Sequence, residues 1–167
     1  MKKVYFGISI IAIALDQLTK WLASTRLVMH EQNPVMPSFN LTLMHNYGAA
    51  FSFLSNAGGW QRWFFTTIAI VISIVLIVWI TRLKANEKWL GVSLSLVLGG
   101  AIGNLIDRVA YGYVIDFIQW YYDRFYWPAF NIADSAIFVG AAMLLISSFF
   151  TEEEAAAKAS TETVNKR

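Results

Sequence analysis

Asp16, Asn104, Asp107, Asp116, Asn131 and Asp134 are the polar residues whose types and positions in this chain suit acid–base chemistry. Each lies in or beside a long apolar run, with Lys20 close to Asp16. Two aspartates that share one proton can polarise a water and protonate a leaving amine without a metal. Asp107, Asp116 and Asp134 are the candidates for such a pair, and composition alone does not choose between them. Other chemistries lack their parts. The chain has no cysteine, which removes thiolate nucleophiles, thiolate metal sites and disulfides. Its two histidines, His30 and His45, cannot build a His-rich metal centre, and His30-Glu31 lacks the second histidine of a zincin motif. Ser135 beside Asp134 has no histidine nearby and no nucleophile elbow around it. The glycine-rich run Gly99 to Asn104 falls inside an apolar stretch, so it is no phosphate loop. No metal and no cofactor is called for.

The elements that must position these residues are membrane spans. Of 167 residues 57% are hydrophobic and only 14% charged, against roughly 25% charged in an ordinary soluble domain. The formal net charge of +2 excludes an electrostatic nucleic-acid binder, and the apolar content excludes a disordered tail or a coiled coil. Crossing a bilayer takes roughly 20 mostly apolar residues. Four stretches qualify, at about Val4–Ala23, Trp63–Ile80, Trp89–Ile106 and Ile132–Phe150. Asp16 and Lys20 interrupt the first, and no A-x-A site follows it, which argues against a cleaved signal peptide. Residues 1–150 read as one membrane-embedded domain and 151–167 as a solvated tail, helical or disordered. Lys2, Lys3, Arg82, Lys84, Lys88, Lys158, Lys166 and Arg167 fall on one side, against Arg26, Arg62, Arg108 and Arg124 on the other. That bias places both termini in the cytoplasm.

Helix rise, about 1.5 Å per residue, gives depth. Asp16 lies roughly 18 Å and Lys20 roughly 24 Å from the cytoplasmic end of the first span. Asn104 and Asp107 lie roughly 22 and 27 Å along the third. Asn131 and Asp134 open the fourth, and Asp116 precedes it. All of them converge near the outer leaflet boundary, where an ionisable group is by default a functional candidate. In the third span Ser93, Gly100, Asn104 and Asp107 share one stripe, read as the wall of a site, while Ser95, Gly99 and Gly103 form a small-residue row suited to helix packing.

Each residue also has a structural reading. Asp16 and Lys20, four residues apart, fit an internal ion pair as well as substrate contact. Asn131 and Asp134 fit a helix N-cap and its third-position partner. Asp107-Arg108 fits a local ion pair, and His30 and His45 fit surface or packing roles. Between the first two spans, Phe39 to Met44 alternates like a strand, Asn46-Tyr47-Gly48 supplies turn chemistry, and Phe51-Ser52-Phe53 resumes the alternation, so a small extracytoplasmic β element is expected there. Gly112 to Ala129, dense in Trp and Tyr, is expected to lie along the membrane interface.

Five separated motifs carry a family resemblance. Asp16-Gln17-Leu18-Thr19-Lys20, the run Asn46 to Ser52, Asn104-Leu105-Ile106-Asp107-Arg108, the run Gly112 to Phe117, and Phe130-Asn131-Ile132-Ala133-Asp134 stand in the order of bacterial lipoprotein signal peptidases (signal peptidase II), which the chain resembles up to about Phe150. The resemblance implies an α-helical integral membrane protein of the bacterial inner membrane, with four transmembrane helices, a small outer β element and a short interfacial helix. It implies an aspartic endopeptidase that cleaves prolipoproteins just before a diacylglyceryl-modified cysteine. On the matching motifs, the catalytic pair falls on Asp116 and Asp134, with Asp16, Lys20, Asn46, Gly48, Asn104, Asp107, Arg108 and Asn131 supporting. The implied partners are lipid-modified prolipoproteins, membrane lipids and globomycin-type cyclic peptide inhibitors. The alternative is a small polytopic transporter or ion-coupled protein using Asp16, Lys20 and Asp107 as a relay. Transporter sites sit near the midplane, often between internal repeats, and here the polar groups gather toward one surface with no repeat visible.

Overall fold

The computed structural model describes residues 1–48 and 58–165, with side chains described as far as residue 148. Four long helices carry a small sheet at one end. The order is α1 (Lys2–Arg26), β1 (Asn33–Met36), β2 (Phe39–Asn46), α2 (Trp60–Arg82), α3 (Lys88–Ala110), β3 (Val114–Tyr122), β4 (Phe125–Tyr126) and α4 (Ile132–Asn165). Each helix overruns the apolar stretch that announced it, because backbone hydrogen bonding continues past the point where the side chains turn polar. Helices α1, α2 and α3 are each long and apolar enough to cross a membrane, and α4 has a shorter apolar stretch at Ile132–Ser148. The helix continues through the tail to Asn165.

α3 is the central helix and packs against the other three. Its small residues make this possible. A Cβ on Gly103 would sit 2.6 Å from Asp16 Oδ2 and 3.2 Å from Ala133 Cβ, so α1 and α4 close on α3 only where there is no side chain. The row Ser95, Gly99, Gly103 therefore faces α1, as the small-residue pattern predicts. Away from the sheet, Tyr5, Leu76, Ile80, Leu83, Leu94 and Leu98 form an apolar core between α1, α2 and α3. α2 shows the opposite pattern. Trp63, Ile74 and Val75 are each more than half exposed on it, the outward apolar surface of a helix solvated by lipid.

The four strands form one antiparallel sheet in the order β1-β2-β3-β4. Pro34 is tolerated in β1 because that strand is an edge. β2 confirms the alternation at Phe39 to Met44 and runs on to Asn46. The segment Phe51-Ser52-Phe53 lies outside the described residues. The aromatic segment 112–129 holds β3 and β4, and among the described residues no short interfacial helix occurs there. The reason is its composition: Val114 to Tyr122 is β-branched or aromatic at every position except Asp116 and Gln119, which suits pairing with β2 better than a helical face. Ala23, Leu43, Ile115 and Phe117 seal the sheet onto the end of α1. Replacing Gly103 with leucine is expected to separate α1 from α3 and to cost about 1–3 kcal/mol, measured as a lower unfolding temperature in detergent.

Candidate active site

The site is built behind the sheet from three helix ends and two strands. Its foundation is Lys20, only 1% exposed. The ammonium donates to Asp16 Oδ2 at 2.8 Å, Asp107 Oδ2 at 2.9 Å and Asn104 Oδ1 at 3.0 Å, one acceptor for each of its three protons. Both carboxylates reach onward. Asp16 Oδ1 accepts the backbone N–H of Ala133 in the first turn of α4 at 2.9 Å. Asp107 Oδ2 accepts the N–H of Ile115 in β3 at 3.0 Å, and its Oδ1 accepts from Gln17 Nε2 at 3.0 Å. One buried charge cluster therefore ties α1, α3, β3 and α4 together.

Asp16 and Lys20 thus meet in the internal ion pair that their spacing allows. The local pair Asp107-Arg108 does not form. Consecutive helical residues diverge by about 100°, so Asp107 turns inward to Lys20 while Arg108 Nη2 donates to the carbonyl of Gly48 at 3.2 Å. The guanidinium also lies 5.5 Å from the centroid of Phe65. The proposed polar stripe on α3 divides as well. Asn104 lines the groove in front of the cluster, whereas Ser93 donates to the carbonyl of Trp89 and packs at Gly140, and Asp107 is covered.

Asn131 links the charge cluster to the candidate dyad. Its Oδ1 accepts the backbone N–H of Asp134 at 2.8 Å, and Asp134 Oδ2 accepts the N–H of Asn131 at 3.2 Å. This reciprocal cap starts α4 and also holds the Asp134 carboxylate. The other end of Asn131 donates from Nδ2 to Asp116 Oδ1 at 2.6 Å and to Asn104 Oδ1 at 3.2 Å. Asn104 Nδ2 donates to Asp134 Oδ1 at 2.7 Å, and Asn46 Nδ2 donates to Asp116 Oδ2 at 3.1 Å. Asn46 is itself set by a turn in which Gly48 N–H donates to its Oδ1 at 3.0 Å. Three asparagines therefore orient two aspartates from separate elements, one strand and one helix N-terminus.

Asp116 and Asp134 line one groove of about 690 Å³, together with Asn46, Asn104, Arg108 and the α4 residues Ile137 and Phe138. Burial, and then repulsion from Asp134, raise the Asp116 pKa to about 7, against the donors Asn46 and Asn131, which favour its charged form. The structure brings together all ten residues singled out in the sequence: Asp16, Lys20, Asp107 and Asn131 buried in the network, Asn46, Gly48, Asn104, Arg108, Asp116 and Asp134 around the groove mouth. His30 lies exposed at the rim, and His45 stacks on Tyr113 with ring centroids 3.8 Å apart. Among the described residues no cluster of three or more His, Asp or Glu has the arrangement of a metal site.

Two contributors escaped the sequence reading. Gln17 joins Asp16, Asp107 and the carbonyl of Gly103, and Arg62 donates to the carbonyls of Arg108 and Val109, closing the C-terminus of α3 beside Gly112. Gln17 had a signal in its position between Asp16 and Lys20, whereas Arg62 meets its partners only through the packing of α2.

Against known proteins, the model of the family described as signal peptidase (SPase) II matches residues 8–150. The chain belongs to the signal peptidase II family. The lipoprotein signal peptidase of Acinetobacter baumannii strain ATCC 17978 is 55% identical over 151 residues, 90% of this chain and 86% of that protein. The lipoprotein signal peptidase of Pseudomonas putida is 54% identical over 147 residues, 87% of this chain and 86% of that one. A solved structure described as a bacterial membrane enzyme, determined by the in meso method at 2.3 Å resolution, superposes with a TM-score of 0.82 at 32% identity, covering 91% of each chain. A second such enzyme, solved at 1.9 Å, gives 0.74 at 34% identity over 87% of this chain and 92% of that one. Membership of a peptidase family sets the transporter reading aside.

The network makes a stability prediction. Lys20→Met leaves Asp16 and Asp107 facing each other without a cation and is expected to cost about 3–5 kcal/mol. Thermal unfolding of the purified variant in detergent measures it, and Lys20→Met combined with Asp16→Asn and Asp107→Asn should recover part of the loss.

Proposed function

We propose that this chain is an intramembrane aspartic endopeptidase that removes the signal peptide from diacylglyceryl-modified prolipoproteins, cleaving just before the lipidated cysteine, with Asp116 and Asp134 as its catalytic pair. The observation that carries the reading is the pinning of two carboxylates, from β3 and from the first turn of α4, by Asn46, Asn104 and Asn131 at one groove. Fixed donors hold each acid at a defined place before substrate arrives, which is where preorganised catalysis draws its advantage.

The chemistry follows from the pair. The ionised carboxylate takes a proton from a water that attacks the scissile carbonyl. The protonated one donates a hydrogen bond to the carbonyl oxygen and then helps protonate the departing amine. Diacylglyceryl chains confine the substrate to the membrane, so the peptide bond reaches the groove laterally at a fixed depth, which supplies much of the positioning. Arg108 and Gly48 shape the groove mouth. Globomycin-type cyclic peptides would occupy the same groove. The bias of basic residues supports placement in the bacterial inner membrane with both termini cytoplasmic and the sheet at the outer leaflet. Residues 1–150 form the peptidase unit, and 151–167 lie outside it.

Asp116→Asn and Asp134→Asn are each expected to lower turnover of a diacylglyceryl prolipoprotein peptide by at least about 10⁴-fold, while the purified variants remain folded in detergent. Retained turnover in either variant would sink the assignment. EDTA is expected to leave the rate unchanged.

The pH profile tests the shared proton. As pH rises through the raised pKa of Asp116, at about 7, the pair loses the proton it shares and the acid is lost, so the rate of cleavage falls through that region. Asn46→Leu removes a donor that favours the charged form of Asp116 and should move the alkaline limb to higher pH. An unmoved limb would separate Asn46 from the titrating group.

A further inference from the structure

Among the described residues, α2 gives no side chain to the dyad groove. Its first two turns nevertheless hold the residue that borders the groove from the end of α3. Arg62 Nε donates to the carbonyl of Arg108 at 2.9 Å, and its Nη2 to that of Val109 at 2.8 Å. The ring of Phe65 lies against the Arg108 guanidinium, 5.5 Å from its centre. α2 thus grips Arg108 at both ends, by its carbonyl and by its charged group. The last carbonyls of a helix lack intrahelical donors, and a cation there is favoured by the helix dipole. Water satisfies such carbonyls at most helix ends, so capping by itself does not call for a guanidinium reaching across from another helix.

Two routes run from Arg62 to Asp116. The first follows the backbone. Gly112 ends α3 in the left-handed region, at φ 86°, and its N–H donates to the same Arg108 carbonyl at 3.1 Å. A Cβ on Gly112 would stand 3.2 Å from Arg62 Nη1, so the guanidinium packs against the turn that leads from α3 into β3. Asp116 lies on β3 just beyond that turn. The second route follows side chains. Arg108 Nη2 donates to the carbonyl of Gly48 at 3.2 Å, Gly48 N–H donates to Asn46 Oδ1 at 3.0 Å, and Asn46 Nδ2 donates to Asp116 Oδ2 at 3.1 Å. One route sets the strand that carries the carboxyl, and the other sets its donor.

We infer that Arg62, together with Phe65, is a positioning residue for the dyad: it fixes Arg108 and the Gly112 turn, and through them keeps the Asn46 amide on the Asp116 carboxyl. The inference rests on the reading of Asp116 and Asp134 as the catalytic pair. Arg62 donates to backbone carbonyls alone and borders no part of the groove, so its influence on the reaction passes through geometry. The charged groups that act on Asp116 are Asp134 of α4 and Lys20 of α1, with Arg108 of α3 beside them. Arg62→Lys keeps the positive charge and loses the planar fork that holds two carbonyls at once. A response of Asp116 to that change is therefore a response to position. Its sign follows from the donor. Asn46 favours the charged form of Asp116, so loosening that hydrogen bond moves the titration to higher pH.

The test reads the Asp116 proton directly and through the rate. The isotope-labelled carboxyl carbon of Asp116, identified by its loss in Asp116→Asn, is titrated by NMR on the full chain in detergent. Over the same pH range kcat and KM are measured with a diacylglyceryl prolipoprotein peptide. Arg62→Lys and Phe65→Leu are each expected to raise the Asp116 midpoint by about half a pH unit, part of the worth of one charged hydrogen bond. The alkaline limb of the rate should move with it, and kcat should fall about tenfold while KM stays within about twofold. Arg62→Lys combined with Asn46→Leu should titrate where Asn46→Leu alone does, because both act on one hydrogen bond. Phe65→Leu keeps an apolar side chain at a half-buried position, so it folds even if Arg62→Lys does not. An unmoved midpoint in the folded variants overturns the inference, whatever happens to their unfolding temperature. So does a further shift in the combined variant. The NMR titration needs no turnover, so a wild type that leaves the peptide uncut counts against the peptidase reading and not against the route from Arg62 to Asp116.

Discussion

The structure depends on a single buried cation. Lys20 has no route to water, and an isolated ammonium in such a place costs several kcal/mol. Its three protons are met by Asp16, Asn104 and Asp107, and the remaining carboxylate oxygens are met by backbone N–H groups of α4 and β3 and by Gln17. The acceptors come from α1 and α3 and reach onward to α4 and β3, so satisfying the charge and assembling the fold are the same event. Apolar contact within lipid does not select one helix arrangement over another, since lipid tails are as apolar as leucine. A buried network that is costly unless complete does select one.

The candidate dyad draws its geometry from this network without a direct ion pair to Lys20. Asn104 accepts from Lys20 on one side and donates to Asp134 on the other. Asn131 caps α4 and donates to Asp116. Asparagine is suited to this place because one amide both accepts and donates, so it passes position from the ionic cluster to the aspartates while keeping Lys20 out of direct contact with them. Direct pairing of Lys20 with either aspartate would favour its charged form and work against a shared proton. With amides between, burial and mutual repulsion keep the Asp116 proton near neutrality.

The same residues carry structural and chemical duties, which explains why the structural and functional readings of Asn131 and Asp134 do not compete. A helix N-terminus in a membrane protein must satisfy its first N–H groups. Here Asn131, Asp134 and Asp16 do so, and in doing so they place the groove-facing oxygens of Asp134. Asp16 stays behind the groove and holds the helix that presents Asp134.

Much of this was legible in the residues themselves. Apolar run length marks helices because lipid offers the backbone no other partner, and the small-residue row of α3 marks close packing because only small side chains admit it. The positions of Asp16, Lys20, Asn104 and Asp107 along their helices followed from the apolar runs, and the motif order identified the family. The sequence could not determine the partner of Asp107, since a cation at the next position and one at Lys20 are equally available in one dimension, and helical rotation decides between them. Nor could it tell a surface helix from strands in 112–129, because aromatic residues suit an interface in either form, and pairing with β2 supplies the difference. What the chain determined alone was which stretches are long and apolar enough to cross lipid, a matter of one-dimensional pattern against solvent. Which oxygens face each other across the groove was decided only by the tertiary structure, because contacts between β3, α3 and α4 depend on how three separately formed elements rotate about one buried charge.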